Sequence, residues 1–175
     1  MNYIKKIMGI GLLLAGVPLY SSECGTGACP ISYTSMYKSS LGAKYTHPSF
    51  TDTRYKIETI SAQELLAKIK NDPSLFVVNV LGQTFFDDAH ITGSIDAPLR
   101  FLEEKAKAWD RNRETIVYCA TKKCDASLKA FRLLKYLGFK NVRAYEGGIR
   151  EWYRLGYPCE GPCQYAYLKQ QGDFE

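Results

Sequence analysis

The stretch "ETIVYCATKKCDASLKAFRLLKYLGF", residues 114–139, decides the fold. After Glu114, residues 115–119 form a continuous run rich in β-branched and apolar residues, the pattern required of a strand buried on both faces. From Asp125 the pattern changes: Leu128, Phe131, Leu134 and Leu137 recur at helical spacing, and Gly138 stands where a C′ glycine closes a helix. Between strand and helix lies a short loop that opens on Cys119, closes on Cys124 and carries Lys122 and Lys123.

The same alternation extends on either side. "TISAQELLAKIKNDP", 59–73, predicts a short amphipathic helix, with Ser61 as N-cap, Glu64 three residues later, and Asn71 and Pro73 as the stop. "LFVVNVL", 75–81, and "NVRAY", 141–145, read as two more buried strands. "RFLEEKAKAW", 100–109, is helical by composition, and "IREWYRLGYP", 149–158, is a closing helix ended by Gly156 and Pro158. Strands alternating with helices predict an α/β fold, a central parallel sheet with helices on both faces. Ligands of such sheets bind beyond the carboxyl ends of the strands, which is where Cys119 falls.

The chain has 175 residues, enough for one ordinary domain plus tails. Its 46% hydrophobic and 23% charged content is that of a soluble globular protein, and the net charge of +5 is spread without blocks of one sign, so no nucleic-acid partner is expected. Residues 1–22 differ from the rest. Lys5 and Lys6 precede an apolar run from Ile7 to Val17, then Pro18, Ser21 and Ser22, which is the make-up of a secretory signal peptide. The run is too short to span a bilayer comfortably, a span needing about 20 apolar residues. An uncleaved N-terminal anchor is the other reading, and only then is a membrane a partner. Either way a periplasmic or secreted location is expected. The remaining organisation reads as an irregular arm at 23–58, the α/β domain at 59–161 and a tail at 162–175.

In an exported chain the other cysteines read as structural. Cys24 and Cys29, and Cys159 and Cys163, lie in Gly/Pro-rich contexts flanking the domain. Disulfides tying the tails down are expected, with three pairings left open. Neither cluster has the C-x2-C spacing of a zinc site, and the only histidines are His47 and His90, so no metal and no cofactor are expected.

A cysteine at the end of a buried strand, just before a helix start, has the loop's N–H groups available to its sulfur. Those dipoles, with Lys122 and Lys123, are expected to favour the thiolate, which is the nucleophile. The same arrangement suits a bound anion.

These residues bring the chain to a resemblance. From about Ile60 to Gly161 it resembles the rhodanese domain. The likeness is carried by "VVNVL", by Phe86, His90, Ile91, Gly93, Ser94 and Ile95 in "FFDDAHITGSIDAPL", by "IVYCATKKCDAS", and by the Gly-Gly-Ile-x-x-Trp segment of "EGGIREWYRLGYP". The resemblance implies that Cys119 takes a sulfur from a small anionic donor such as thiosulfate, becomes a persulfide, and passes the outer sulfur to a thiol or cyanide-like acceptor. Ala120, Thr121, Lys122, Lys123 and Cys124 would then form the substrate cradle. The loop from 119 to 124 has the six-residue length of the sulfurtransferase members. The related phosphatases use seven residues with an arginine to grip phosphate, and Cys124 and Asp125 stand there instead.

The departures are equally specific. Asn79 and Leu81 replace an Asp-x-Arg, and the loop arginines of many members are absent, leaving two lysines that act as point charges without a bidentate grip. Cys124 reads either as a resolving thiol or as a small buried hydrophobe at the helix start. His90 reads as a backbone-binding residue, not a catalyst, and Trp152 as core. Two rival functions follow: a non-catalytic rhodanese-like binding module, and a thiol–disulfide oxidoreductase using Cys119 and Cys124.

Overall fold

The computed structural model describes residues 46–170. Helix α1 (Ala62–Asn71) leads to β1 (Phe76–Asn79), α2 (Gln83–Asp88), the short strands β2 (His90–Ile91) and β3 (Ile95–Asp96), and α3 (Leu102–Ala106). Then follow β4 (Thr115–Tyr118), α4 (Ala126–Tyr136), β5 (Val142–Tyr145), α5 (Gly148–Arg154), β6 (Cys159–Glu160) and α6 (Ala166–Lys169). The main sheet is parallel, in the order β3-β1-β4-β5, and helices flank it. Val78 pairs with both Ile95 and Val117, and Val117 in turn with Ala144. The two strands with neighbours on both sides, β1 and β4, are the two most continuous apolar strand runs of the domain, as burial on both faces demands.

The local signals act as their chemistry requires. Ser61 caps α1 by accepting from the Glu64 amide at 3.2 Å, while the Glu64 carboxylate turns to Arg143 at 2.5 Å. At the end of α4 the amide of Gly138 reaches Lys135 O and that of Phe139 reaches Leu134 O, a Schellman closure that satisfies two terminal carbonyls. Phe131, Leu133 and Leu134 of α4 are fully buried, and truncating any one of them to alanine would cost about 2–5 kcal/mol. At the amino end of β4, Glu114 accepts from Lys68 at 2.9 Å and from Arg143 at 2.6 Å, tying α1, β4 and β5 together.

Three segments differ from the sequence reading. The helix expected over 100–109 is only Leu102–Ala106, preceded by a 3-10 turn at Leu99–Phe101. Beyond it the amides of Lys107 and Trp109 bond to carbonyls three residues back, and the Trp109 ring leaves the helix to stand edge-on to Phe76 and Phe139. The arm is irregular only in part. A 3-10 turn at Pro48–Thr51 packs on α4, buries Ser49 and Phe50, and is capped by His47, whose Nδ1 accepts from the Ser49 amide at 3.1 Å. The tail is likewise not loose as far as it is described: α6 packs on α5 and buries Tyr167 and Leu168 in the core. The segment read as a signal peptide or anchor, and Cys24 and Cys29, lie outside the described residues.

Candidate active site

Tyr118, the last residue of β4, is fully buried, and its hydroxyl is a fixed post. It accepts from the Ile91 amide at 3.0 Å and shares a 2.9 Å hydrogen bond with Ser94. Burial, opposed by those bonds, leaves its phenol pushed up to about 12. The post holds the 91–94 turn against the strand end from which Cys119 emerges. On the other side, the first turn of α5 comes down on the loop: the Ile149 amide donates to Cys119 O at 2.9 Å and the Arg150 amide to Ala120 O at 3.0 Å. Gly148 permits this approach. Its φ is +67°, and a Cβ there would stand 2.5 Å from Cys119 O and 2.6 Å from the Ala120 carbonyl carbon.

Between these two supports the Cys119 sulfur is enclosed, with no exposed surface. Its S–H lies 3.1 Å from Cys124 O, 3.7 Å from Thr121 O and 3.4 Å from Ser127 Oγ. The thiol pKa is therefore raised well above the ordinary value. Burial is the main cause, the neighbouring Cys124 thiol adds to it, and the Ser127 hydroxyl and amide oppose it. This corrects the expectation that loop amides and lysines hold a thiolate. In this conformation the Cys124 amide closes a turn onto Thr121 O at 2.9 Å, so carbonyl oxygens face the sulfur. Lys122 and Lys123 stand exposed at the tip of that turn, while Ala120, Thr121 and Cys124 are buried with the sulfur. The loop residues are thus brought together, with the Cys124 amide bonded to Thr121 O and not to the sulfur.

Ser127 is the residue that sequence reading missed. It is fully buried in the first turn of α4 and presents both its hydroxyl and its amide to the sulfur. The available signal was its place at the second position of the helix that follows the Cys119 loop. His90 holds backbone, as read: Nδ1 lies 2.7 Å from Phe86 O, the ring stacks on Phe86 at 3.8 Å, and Nε2 meets Glu160 at 3.2 Å. Trp152 is core, its indole N–H donating to Pro158 O at 2.8 Å. Asn79 is fully buried, its Oδ1 accepting from the Leu81 amide at 2.9 Å.

A cleft of about 430 Å³ opens at the carboxyl ends of β1 and β3, lined by Gly82, Gln83, Asp96, Pro98, Arg100 and Lys105 among others, and none of its lining belongs to the 119–124 loop. Cys119, Cys124, Cys159 and Cys163 are all thiols, and the Cys159 and Cys163 sulfurs rest 3.3 Å apart in hydrogen-bond contact. Of the pairings left open for the tail disulfides, the one joining Cys159 to Cys163 is not formed, and Cys24 and Cys29 lie outside the described residues. Among the described residues no cluster of three or more His, Cys, Asp or Glu is placed to hold a metal ion.

The rhodanese-like domain family matches residues 61–155, which span the sheet, the Cys119 loop and α5. The chain belongs to this family. A Bacillus subtilis (strain 168) protein named "Putative sulfur carrier protein YrkF" is similar at 31% identity over 96 residues, covering 55% of this chain and 51% of that protein. The chain thus spans about half the length of that relative. Among solved structures, the BH2092 protein from Bacillus halodurans is similar at TM-score 0.57 and 26% identity, over 61% of this chain and 78% of that one. The rhodanese-like domain of the Alr3790 protein from Anabaena sp. shares the fold at TM-score 0.57 and 24% identity, over 69% and 91% of the two chains. Sulfur transfer is the chemistry this rhodanese-like domain supports at the level of the family.

Proposed function

We propose that the chain is a sulfurtransferase that carries a sulfane sulfur on Cys119. The observation behind the reading is the position of Cys119 in a rhodanese-like domain, at the carboxyl end of a buried parallel strand and beneath the first turn of a helix. With thiosulfate as donor, the Cys119 thiolate attacks the outer sulfur, the S–S bond of the donor breaks, and sulfite leaves with the bonding pair. A thiolate or cyanide then attacks the outer sulfur of the persulfide and takes it away, returning the Cys119 thiolate. Ala120, Thr121, Lys122, Lys123 and Cys124 form the cradle, and Lys122 and Lys123 attract the anionic donor as point charges.

The closed sulfur and the raised thiol pKa make opening of the 121–124 turn the first step. When the turn unwinds, the carbonyls of Thr121 and Cys124 leave the sulfur, loop amides replace them, and the Ser127 hydroxyl, which accepts from the S–H in the closed state, turns to donate to the thiolate. A second reading is favoured by the Cys124 thiol that acts on Cys119: the pair exchanges with disulfides as a dithiol. The N-terminal segment, with Lys5 and Lys6 before Ile7–Val17, supports export to the periplasm or beyond.

The test is intact mass after thiosulfate treatment. One added sulfur that cyanide discharges, absent from Cys119→Ser, is expected. No adduct on the wild type, or an equal adduct on the variant, rules out the reading, and a Cys119–Cys124 disulfide in place of the adduct selects the dithiol reading.

A further inference from the structure

The C-terminal cysteines are held together by the fold at a place the Cys119 chemistry does not use. Cys159 lies on β6, paired antiparallel with Ile91 of β2, and Glu160 beside it pairs with His90. The chain then turns sharply at Gly161, whose φ is +102° and where a Cβ would stand 2.4 Å from Asp88 O. The amide of Cys163 donates to that same Asp88 O at 2.8 Å, and the buried Asp88 carboxylate accepts from the amides of Gln164 and Tyr165 at 2.9 and 3.2 Å. Both cysteines are therefore anchored to one segment, residues 88–91, from its two ends. Among the described residues Cys163 is the only one other than glycine with positive φ, at 52°, a conformation uncommon for a residue with a side chain. The result is two sulfurs 3.3 Å apart, both partly accessible, where a disulfide bond needs about 2.0 Å. The two sulfurs meet each other at the edge of the core, and that of Cys163 also lies 3.5 Å from the Gly161 carbonyl.

We infer that Cys159 and Cys163 form a second thiol site, a dithiol that exchanges with disulfides of small thiols and closes reversibly to an intraloop disulfide. The Cys159 thiolate attacks one sulfur of the donor disulfide, a mixed disulfide forms, and the first small thiolate leaves. The Cys163 thiolate then attacks the Cys159 sulfur, the Cys159–Cys163 bond forms, and the second small thiolate leaves. Two electrons pass from the dithiol to the donor, and its two protons end on the two released thiols. Burial, and the hydrogen bond to Cys159, push the Cys163 thiol up to about 11, which favours Cys159 as the first attacking thiol. The site does not depend on Cys119 and goes beyond the sulfur-transfer reading.

Cleavage after Arg154 and Lys169 gives one peptide, 155–169, that contains Cys159 and Cys163 and no other cysteine. The full chain is equilibrated with oxidised glutathione, alkylated and digested. We expect 155–169 to appear two hydrogens lighter and closed to alkylation, and to take two alkyl groups after reduction. Cys163→Ser is expected to stop at a glutathione adduct on Cys159, and Cys119→Ser to close as the wild type does. Persistent alkylation of both cysteines, two separate glutathione adducts, or a cross-link from 155–169 to the peptide bearing Cys24 and Cys29 overturns the inference. So does failure of Cys119→Ser to close. Sulfur loading of Cys119 in Cys159→Ser is expected to be unchanged.

Discussion

Two cysteine pairs lie at opposite kinds of place in this molecule. Cys119 and Cys124 sit where a buried strand gives way to a helix, closed off by a turn whose carbonyls face the sulfur. Cys159 and Cys163 sit at the rim on a tight loop, partly accessible and touching. The residue type is the same and the sequence spacing nearly so. The first site encloses its sulfur, and burial raises the thiol pKa. The second holds two sulfurs within reach of each other, a property set by backbone anchors on Asp88 and Ile91. Burial governs one chemistry and proximity the other.

The largest effect that tests this contrast comes from two glycine substitutions. Gly148→Ala places a Cβ on the Cys119 and Ala120 backbone, and Gly161→Ala places one on Asp88. At either site a side chain in a left-handed backbone with an overlapping neighbour costs about 2 kcal/mol or more. Denaturant titration with separate cysteine readouts should show Gly148→Ala losing sulfur loading on Cys119. Gly161→Ala should lose closure of the 155–169 loop while Cys119 still loads. If both variants silence Cys119 alike, the two sites are not independent.

A smaller difference is expected in reactivity. With no donor present, Cys159 should alkylate faster than Cys119 by roughly tenfold or more, since each pKa unit removes a factor of ten in thiolate and Cys119 is also enclosed. Time-resolved peptide mapping with iodoacetamide measures both rates in one sample, and equal rates would mean that the 121–124 turn does not shield the sulfur.

Ser127→Ala acts within the buried site alone. Removing the hydroxyl takes away one of the two groups that lower the Cys119 pKa, so loading should slow roughly threefold to tenfold, the worth of one hydrogen bond. Its pH profile should shift to higher pH. The rim pair should not respond, and an unshifted profile would remove Ser127 from the account.

The smallest effect separates sheet stability from both sites. Burial pulls the Glu114 carboxyl upward, but hydrogen bonds from Arg143 and Lys68 outweigh it, and its pKa in the folded chain is lowered. The stabilisation is therefore present above the unfolded carboxylate pKa and fades as pH falls through the folded value. Glu114→Gln should flatten the acid limb of the stability profile and cost roughly 1 kcal/mol or less at neutral pH, the pair being partly exposed. Sulfur loading and rim closure per folded molecule should be unchanged.

What the sequence made legible is the part governed by neighbours along the chain. "TIVY" reads as a buried strand from its own composition, Ser61 as a cap from its spacing to Glu64, and Gly138 as a closure from the helix before it. The position of Cys119 at a strand end followed from the same local logic. The facing groups of the sulfur did not, because whether a loop peptide turns its N–H or its C=O inward depends on the turn formed by the Cys124 amide and Thr121 O. The rim site was illegible for a different reason. Cys159 and Cys163 meet because Asp88, some seventy residues earlier, binds three amides of the later loop, and nothing in "PCEGPCQ" announces that partner. The burial of Tyr167 and Leu168 was hidden likewise, since a four-residue helix is too short to show a period.

The central claim is that sulfur is carried on Cys119 and not on the more accessible rim pair. Digestion after thiosulfate treatment separates them, because Cys119 falls on peptide 114–122 and the rim pair on 155–169. The account predicts one cyanide-labile sulfur on 114–122 and none on 155–169. Sulfur found on 155–169, or retained by the protein when Cys119 is changed to serine, would contradict it.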